Sequence, residues 1–305
     1  MTGASGFVGG HLVPQLRAAF PDAVLTLCGV GAEKLDVTDA GAVRALVARV
    51  RPEACVHLAG MAAPPMARRD PDAAWAVNLG GSLAVGRAIL AEAPDCQLLF
   101  VSSGEVYGGS FRAGMPVDEG TLLAPMNPYA ATKAAADLAL GAMAQDGLRV
   151  VRLRPFNHTG AGQSEAFVVA AFARQIARIG AGLQAPVLQV GSLEPRRDFL
   201  DVRDVCAAYV ACLMRGDALA PGSILNIASG TARRIGDLLR DLLELAGVRA
   251  EIETGAGLLR TAEIPLAVGE AAAARVALGW RPEVAWETTL ADVLADWRTR
   301  VTAEG

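Results

Sequence analysis

A doubly wound α/β fold follows from three features of this 305-residue chain. Short apolar runs bounded by turn formers alternate with longer helical stretches, the rhythm of parallel strands joined by crossover helices. Gly3, Gly6 and Gly9 punctuate the amino end with the spacing of a strand-to-helix turn that admits a pyrophosphate. Apolar residues make up 52% of the chain, enough to bury a large core in one big domain or in a domain with a smaller partner.

The glycine turn is the first element. Backbone must approach a diphosphate there while the helix amino end faces its charge, which makes Gly3, Ser5, Gly6, Phe7, Val8 and Gly9 candidate cofactor contacts. Such a turn follows a buried strand of about five residues. Only Met1 and Thr2 precede Gly3, so the expectation is a natural polypeptide that begins several residues earlier. Runs at 23–28, 54–59, 97–102 and 149–153 read as buried parallel strands, separated by helices at 40–50, 72–92 and 128–144. After Pro155 the rhythm loosens into helices near 166–179, 202–215, 235–246 and 286–299, with short strands near 187–190 and 223–227. The prediction is a Rossmann-like dinucleotide-binding domain over 1–155, interleaved with a mainly substrate-binding part over 156–305 that contributes the last strands of the large sheet from about 187–227.

The formal charge of -4 and pI of about 5.5 exclude a protein that grips nucleic acid by bulk electrostatics. Charged residues and turn formers break each apolar run short of the ~18 residues of a membrane span, and no signal peptide precedes the glycines. Cys28, Cys55, Cys96, Cys206 and Cys212 are odd in number and scattered, as free thiols of a reduced cytoplasm are. With His11, His57 and His158 they show no metal-ligand spacing, and no metal is expected.

Tyr129 and Lys133 stand four residues apart in a helix that Pro128 can start, with Ser103 upstream, so phenol and ammonium share one helix face. Moving a phenol of pKa ~10 to neutrality takes about three units, roughly 4 kcal/mol of selective stabilisation of the anion. Lys133 beside a cationic nicotinamide ring is suited to supply it.

These residues, with the glycine turn and the segment Arg154-Pro155-Phe156-Asn157-His158, resemble the extended short-chain dehydrogenase/reductases of the NAD-dependent epimerase/dehydratase family, which act on nucleotide sugars. The resemblance covers essentially the whole chain. It implies that Ser103 hydrogen-bonds the sugar oxygen, that Tyr129 is the acid/base, and that Lys133 holds the nicotinamide ribose and lowers the tyrosine's pKa. It assigns Leu58, Ala59, Gly60, Asn78 and Pro155 to the cofactor, and Asp36 with Val37 to its adenine end. Asn157, Arg197 and Arg260 fall at positions that address the diphosphate and ribose of the substrate, a task for a fork of fixed donors. The paired helices 72–92 and 128–144 imply a homodimer.

The reaction is harder to read. Glu105 matches the extra acid of GDP-mannose 4,6-dehydratases and also occurs in the reductases, whereas Gly104 stands where dTDP-sugar dehydratases place aspartate. The match from Arg154 to Ser164, continued in Arg197-Asp198-Phe199-Leu200-Asp201, favours reductases of a C4 keto group on a GDP-deoxyhexose, of the GDP-4-dehydro-6-deoxymannose to GDP-rhamnose type, over dehydratase or 4-epimerase. Ala161 replaces a proline of those reductases and predicts a looser loop. A non-catalytic, cofactor-sensing regulator is the alternative of another class, but such proteins commonly lose the tyrosine or the lysine. Residues 28–32 offer neither the acid of NAD binders nor the arginine of NADP binders, so the cofactor reads as NAD(P), leaning to the phosphorylated form by the resemblance.

Overall fold

The computed structural model describes residues 1–29, 33–255, 257 and 264–303. In chain order its strands are β1 (Ala54–His57), β2 (Gln97–Val101), β3 (Val150–Pro155), β4 (Asn157–Thr159), β5 (Val187–Val190), β6 (Arg196–Asp201), β7 (Ile224–Ile227), β8 (Ala232–Arg234), β9 (Glu251–Thr254) and β10 (Leu266–Ala267). The helices are α1 (Phe7–Ala19), α2 (Ala40–Val50), α3 (Pro64–Arg69), α4 (Pro71–Ala74), α5 (Ser82–Glu92), α6 (Pro128–Met143), α7 (Val168–Gly180), α8 (Val202–Arg215), α9 (Ile235–Ala246), α10 (Ala272–Leu278) and α11 (Trp286–Thr302).

β1, β2, β3 and β7 pair in that order, all parallel, with α1 and α8 on one face and α2, α5 and α6 on the other. This is the doubly wound arrangement. Its strands are nearly continuous apolar runs because both faces are covered: Leu98, Leu99 and Phe100 of β2 are fully buried. Capping chemistry places the helix starts. Asp39 accepts from Ala42 N at 2.9 Å and starts α2, while Asn127 accepts from Ala130 N at 2.9 Å and, with Pro128 behind it, starts α6.

Two strand expectations are corrected. The 23–28 run forms no regular strand. Met1 runs beside it, through Met1 N to Thr26 O at 2.7 Å and Cys28 N to Met1 O at 2.8 Å, and Thr2 and Glu33 each bridge Cys28, but these isolated bridges build no ladder. Thr2 bridges both Cys28 and His57, so the entry to the glycine turn sits against β1. The 187–190 run is a strand, β5, but it pairs with β9 in a separate two-stranded sheet; only β7 from that region joins the large sheet. β6 is the hub of a third sheet, flanked by β4 and β10 and paired antiparallel with β8. The core of α7, α9 and α11 covers it, with Phe199, Trp286 and Trp297 among its members.

The expected helix 72–92 is a continuous rod, α4 to α5, with a π-helical stretch, Trp75–Gly81, in its middle. Over Pro71–Glu92 it is long and apolar enough to cross a membrane by length and composition, although no single apolar run in it reaches that length. Half of that window is buried inside the fold, where it packs on α2 and α6 as a core helix. Wide turns of this kind cluster at functional sites, and Asn78 lies within this one.

Candidate active site

The carboxyl ends of β1, β2 and β3 deliver 58–60, Ser103 with Glu105, and Pro155 with Asn157 to one side of the sheet, where an open α/β sheet binds ligands. The glycine turn meets them there. Gly3 has φ +69°, and a Cβ on it would lie 2.7 Å from Ala59 N, so the turn presses on the loop after β1 in a way open only to glycine. Gly6 caps α1 with no side-chain hydrogen bond, which leaves the first-turn N–H groups of Phe7 and Val8 free for a diphosphate. The turn therefore fits the dinucleotide the sequence implies.

Tyr129 and Lys133 are buried on α6. Burial raises the phenol's pKa, the Glu105 carboxylate raises it further, and the neighbouring Ser103 hydroxyl pulls the other way. Lys133 is absent from these causes. Its Nζ donates to Val101 O at 2.7 Å and stands 5.3 Å from the centre of the Phe100 ring, and burial lowers its pKa to about 8 against the pull of Asp137. Burial is thus the largest influence on the phenol in this structure and favours its protonated form. Ser103 also accepts from Glu105 N at 3.1 Å, and Glu105 accepts from the Asn127 amide at 3.0 Å, so one asparagine both caps α6 and anchors the Glu105 carboxylate.

Asn78 braces the site. Its amide oxygen accepts from Met61 N at 2.8 Å, and its nitrogen donates to Met61 O at 3.3 Å and Thr132 Oγ at 2.9 Å, tying the 58–61 loop to α6. Behind it runs a one-way chain of hydrogen bonds. Ser82 Oγ donates to Asn78 O at 2.6 Å, so it accepts from His57 Nε2–H at 3.1 Å. The bare Nδ1 of His57 then accepts from Thr2 Oγ at 2.7 Å, whose oxygen accepts from Ala59 N at 3.2 Å. Such a chain requires neutral imidazole, and burial pushes His57 down to about 3. Burial lowers His158 as well. Below about pH 6.5 the unfolded chain binds protons that these native imidazoles refuse, so folding stability falls with acidification by up to about 1.4 kcal/mol per pH unit for each. In urea unfolding at stepped pH, His57→Gln is expected to flatten that loss between about pH 6.5 and 5.

The substrate positions are less uniform. Asn157 donates to Asp198 O at 3.1 Å and is registered opposite Phe199. Arg197 donates to Arg196 O at 2.9 Å and Ile264 O at 2.7 Å. Nearby, Asp198 accepts from Ser229, Gly230 and Gly269, and Asp201 from Arg203 and Thr289. Arg260 lies outside the described residues. At the adenine end, Asp36 is exposed and accepts from Thr38 N at 2.9 Å and Thr38 Oγ at 2.7 Å, which lowers its pKa, while Val37 is buried against Gly81. Ser5 lies against Gly29. Among the described residues no group of His, Cys, Asp and Glu is arranged to hold a metal ion.

Gly104 explains itself in three dimensions. A Cβ there would lie 3.0 Å from the Phe156 ring, and a Cβ on Gly269 would lie 2.5 Å from the same ring, so Phe156 is clamped between two glycines and an aspartate at 104 has no room. The loop around Ala161 is held by His11 to Ala161 O at 2.7 Å and by Gly162 N to Asp296 at 2.9 Å. Several supporting features went unread in the sequence: Thr132, Ser82 and Asn127, and the pairing of Arg154 with the buried Asp137. Of these only Asn127, just before a proline-started helix, carried a local signal.

A family model described as the NAD dependent epimerase/dehydratase family matches residues 1–228, about three quarters of the chain. The chain belongs to that family. Along its whole length it is 40% identical to GDP-6-deoxy-D-mannose reductase of Pseudomonas aeruginosa, covering 98% of that protein. The solved structure of RMD from Pseudomonas aeruginosa complexed with NADPH superposes with a TM-score of 0.86 at 38% identity, covering 98% of this chain and 97% of the other. UDP-glucose 4-epimerase of Thermotoga maritima, solved with UDP-glucose, gives 0.85 at 25% identity over 99% and 98%. Members of the family are thus similar to this chain end to end, and the Ser103, Tyr129 and Lys133 cluster sits within the matched span.

Proposed function

We propose that this member of the family is an NADPH-dependent reductase of the C4 keto group of a GDP-activated 6-deoxyhexose. The observation that carries the reading is the 40% identity to a GDP-6-deoxy-D-mannose reductase over the full chain. The geometry agrees with it. Reduction of a ketone needs a proton donor at the carbonyl oxygen, and burial keeps the Tyr129 phenol protonated for that task. Tyr129 gives its proton to O4, Ser103 hydrogen-bonds the same oxygen, and Lys133 stabilises the phenolate left behind. When bound, NADPH supplies hydride to C4. The open first turn of α1 and the 58–60 loop hold the dinucleotide, with Asn78, Pro155 and Val37 along its path and Asp36 at its adenine end; Asn157, Arg197 and Arg260 hold the substrate's diphosphate side.

Incubation with NADPH and GDP-4-dehydro-6-deoxymannose tests the reading through loss of NADPH absorbance; silence there overturns it. Glu105 beside Tyr129 favours one competitor, a GDP-mannose 4,6-dehydratase, which would instead form a keto sugar from GDP-mannose and NADP. We also propose a cytoplasmic homodimer joined through the Pro71–Glu92 rod and α6, each of which exposes a large apolar residue, Trp75 and Leu138. Sedimentation of a monomer alone at micromolar concentration would remove the dimer.

A further inference from the structure

Phe7 ties the glycine turn to the far end of the chain. Its backbone N–H is one of those left open at the start of α1, while its ring is enclosed by the segment that follows β4. A Cβ built on Gly160 or on Gly162 would touch that ring at 3.8 Å, so the backbone of 160–162 lies against it. The His158 ring stacks on it at 6.3 Å and 8°, and the His11 ring meets it edge-on at 5.4 Å and 79°. Residues 160–163 are therefore a strap across Phe7.

The strap depends on its neighbours. Gly160 has no room for a side chain, since a Cβ would lie 2.5 Å from Val202 Cγ1, and Gly162 adopts φ +91°, a conformation that favours glycine. Bonds within the segment, Gln163 N to Gly160 O and Thr159 Oγ to Gln163 Oε1, shape the turn but tie it to no other element. Behind it is a cleft of about 160 Å³, lined by Ala161, Val202, Arg203 and Asp292 among others, so packing does not fix it from that side. Hydrogen bonds do. His11 Nε2 donates to Ala161 O at 2.7 Å from α1. From α11, 134 residues on in sequence, Asp296 Oδ2 accepts from Gly162 N at 2.9 Å, and Arg300 Nη1 donates to Gln163 O at 3.2 Å. Asp296 and Arg300 stand one turn apart and pair at 2.8 Å, and the Arg300 guanidinium lies 4.6 Å from the centre of the Trp297 ring, so each is held in place for the strap.

We propose that Asp296 and Arg300 are positioning residues for the dinucleotide: from α11 they fix the strap, the strap fixes the Phe7 ring, and the ring sets the α1 N–H groups that meet the diphosphate. A helix start binds an anion only as well as its N–H groups point at it, so small displacements of Phe7 are felt by the ligand. The inference rests on the dinucleotide part of the reading above and not on the sugar.

Stopped-flow displacement of NADPH, followed by its fluorescence, tests this through the dissociation rate. Asp296→Ala is expected to raise that rate about fivefold or more, the loss of one charge-assisted hydrogen bond. The urea midpoint should stay close to wild type, because the Asp296 side chain is 23% exposed and leaves no sealed hole. Asp296→Asn keeps an acceptor for Gly162 N and should restore most of the slow release. Arg300→Met keeps an apolar stem on Trp297, loses the bond to Gln163 O and should give a smaller rise. In a Phe7→Leu background Asp296→Ala is expected to add little, because the ring that carries the effect is gone. An unchanged rate in Asp296→Ala overturns the proposal. So does a fully additive effect in the Phe7→Leu background, or a faster release that appears only with a matching fall in the urea midpoint; either marks residues that only hold α11 to the fold. Silence in the reductase assay beside the expected release rates would overturn the sugar reading and leave the strap standing.

Discussion

Tyr129→Phe is expected to cut kcat by about 10²- to 10⁴-fold, the range supplied by a positioned general acid. The change removes one oxygen from a buried ring that α6 holds in place, so NADPH affinity should stay within a few fold of wild type. The size of the effect follows from what replaces the phenol. Ser103 can still hydrogen-bond the carbonyl oxygen, but an aliphatic hydroxyl is a much weaker acid than a phenol, so it is a weak substitute as proton donor. Lys133 is tied to Val101 O and sits on the inner side of the site. Stopped-flow measurement of NADPH oxidation in a single turnover separates the chemical step from product release; turnover at the wild-type rate would refute Tyr129 as the acid.

How far the sequence foretells this molecule depends on whether the determinants are local. α2, α8 and α9 begin and end where the periodicity places them, because caps such as Asp39 and Asp201 sit directly before an apolar stripe. The 23–28 run has a strand's composition, but a strand exists only with a neighbour, and Met1 and Thr2 offer two residues of one. The π-helical turn at 75–81 is equally hidden, since it answers to packing and to the Asn78 bonds across to Met61 and Thr132. In the site, Ser103, Tyr129, Lys133, Asn78 and the glycine turn converge as their motifs suggested. Spacing places Lys133 and Tyr129 one helical turn apart on α6 but does not carry the effect of burial, the largest influence on the phenol.

The largest stability effect is expected from Asp137→Ala, one turn beyond Lys133 on α6. Its Oδ1 accepts from Arg154 Nη2 at 2.9 Å and Arg152 Nη1 at 3.0 Å, and its Oδ2 from Arg154 Nε at 2.9 Å. Arg154 passes the connection on to Tyr107 OH at 2.9 Å, and Tyr107 to Asn226 Oδ1 at 2.7 Å, so α6, β3 and β7 share one polar network. The Asp137 side chain is fully buried and that of Arg154 is 3% exposed, which leaves water no route to a stranded guanidinium. Breaking such a pair from one side costs about 3–5 kcal/mol. The urea midpoint should fall accordingly. A double variant, Asp137→Leu with Arg154→Met, removes the two most buried charges of the three and fills the space, with Arg152 still donating to Gly222 O, and it should recover most of the loss, since the penalty lies mainly in the stranded Arg154 cation. If the double variant is as unstable as Asp137→Ala, the network holds α6 by its geometry, and the register of Tyr129 and Lys133 against β2 depends on it directly.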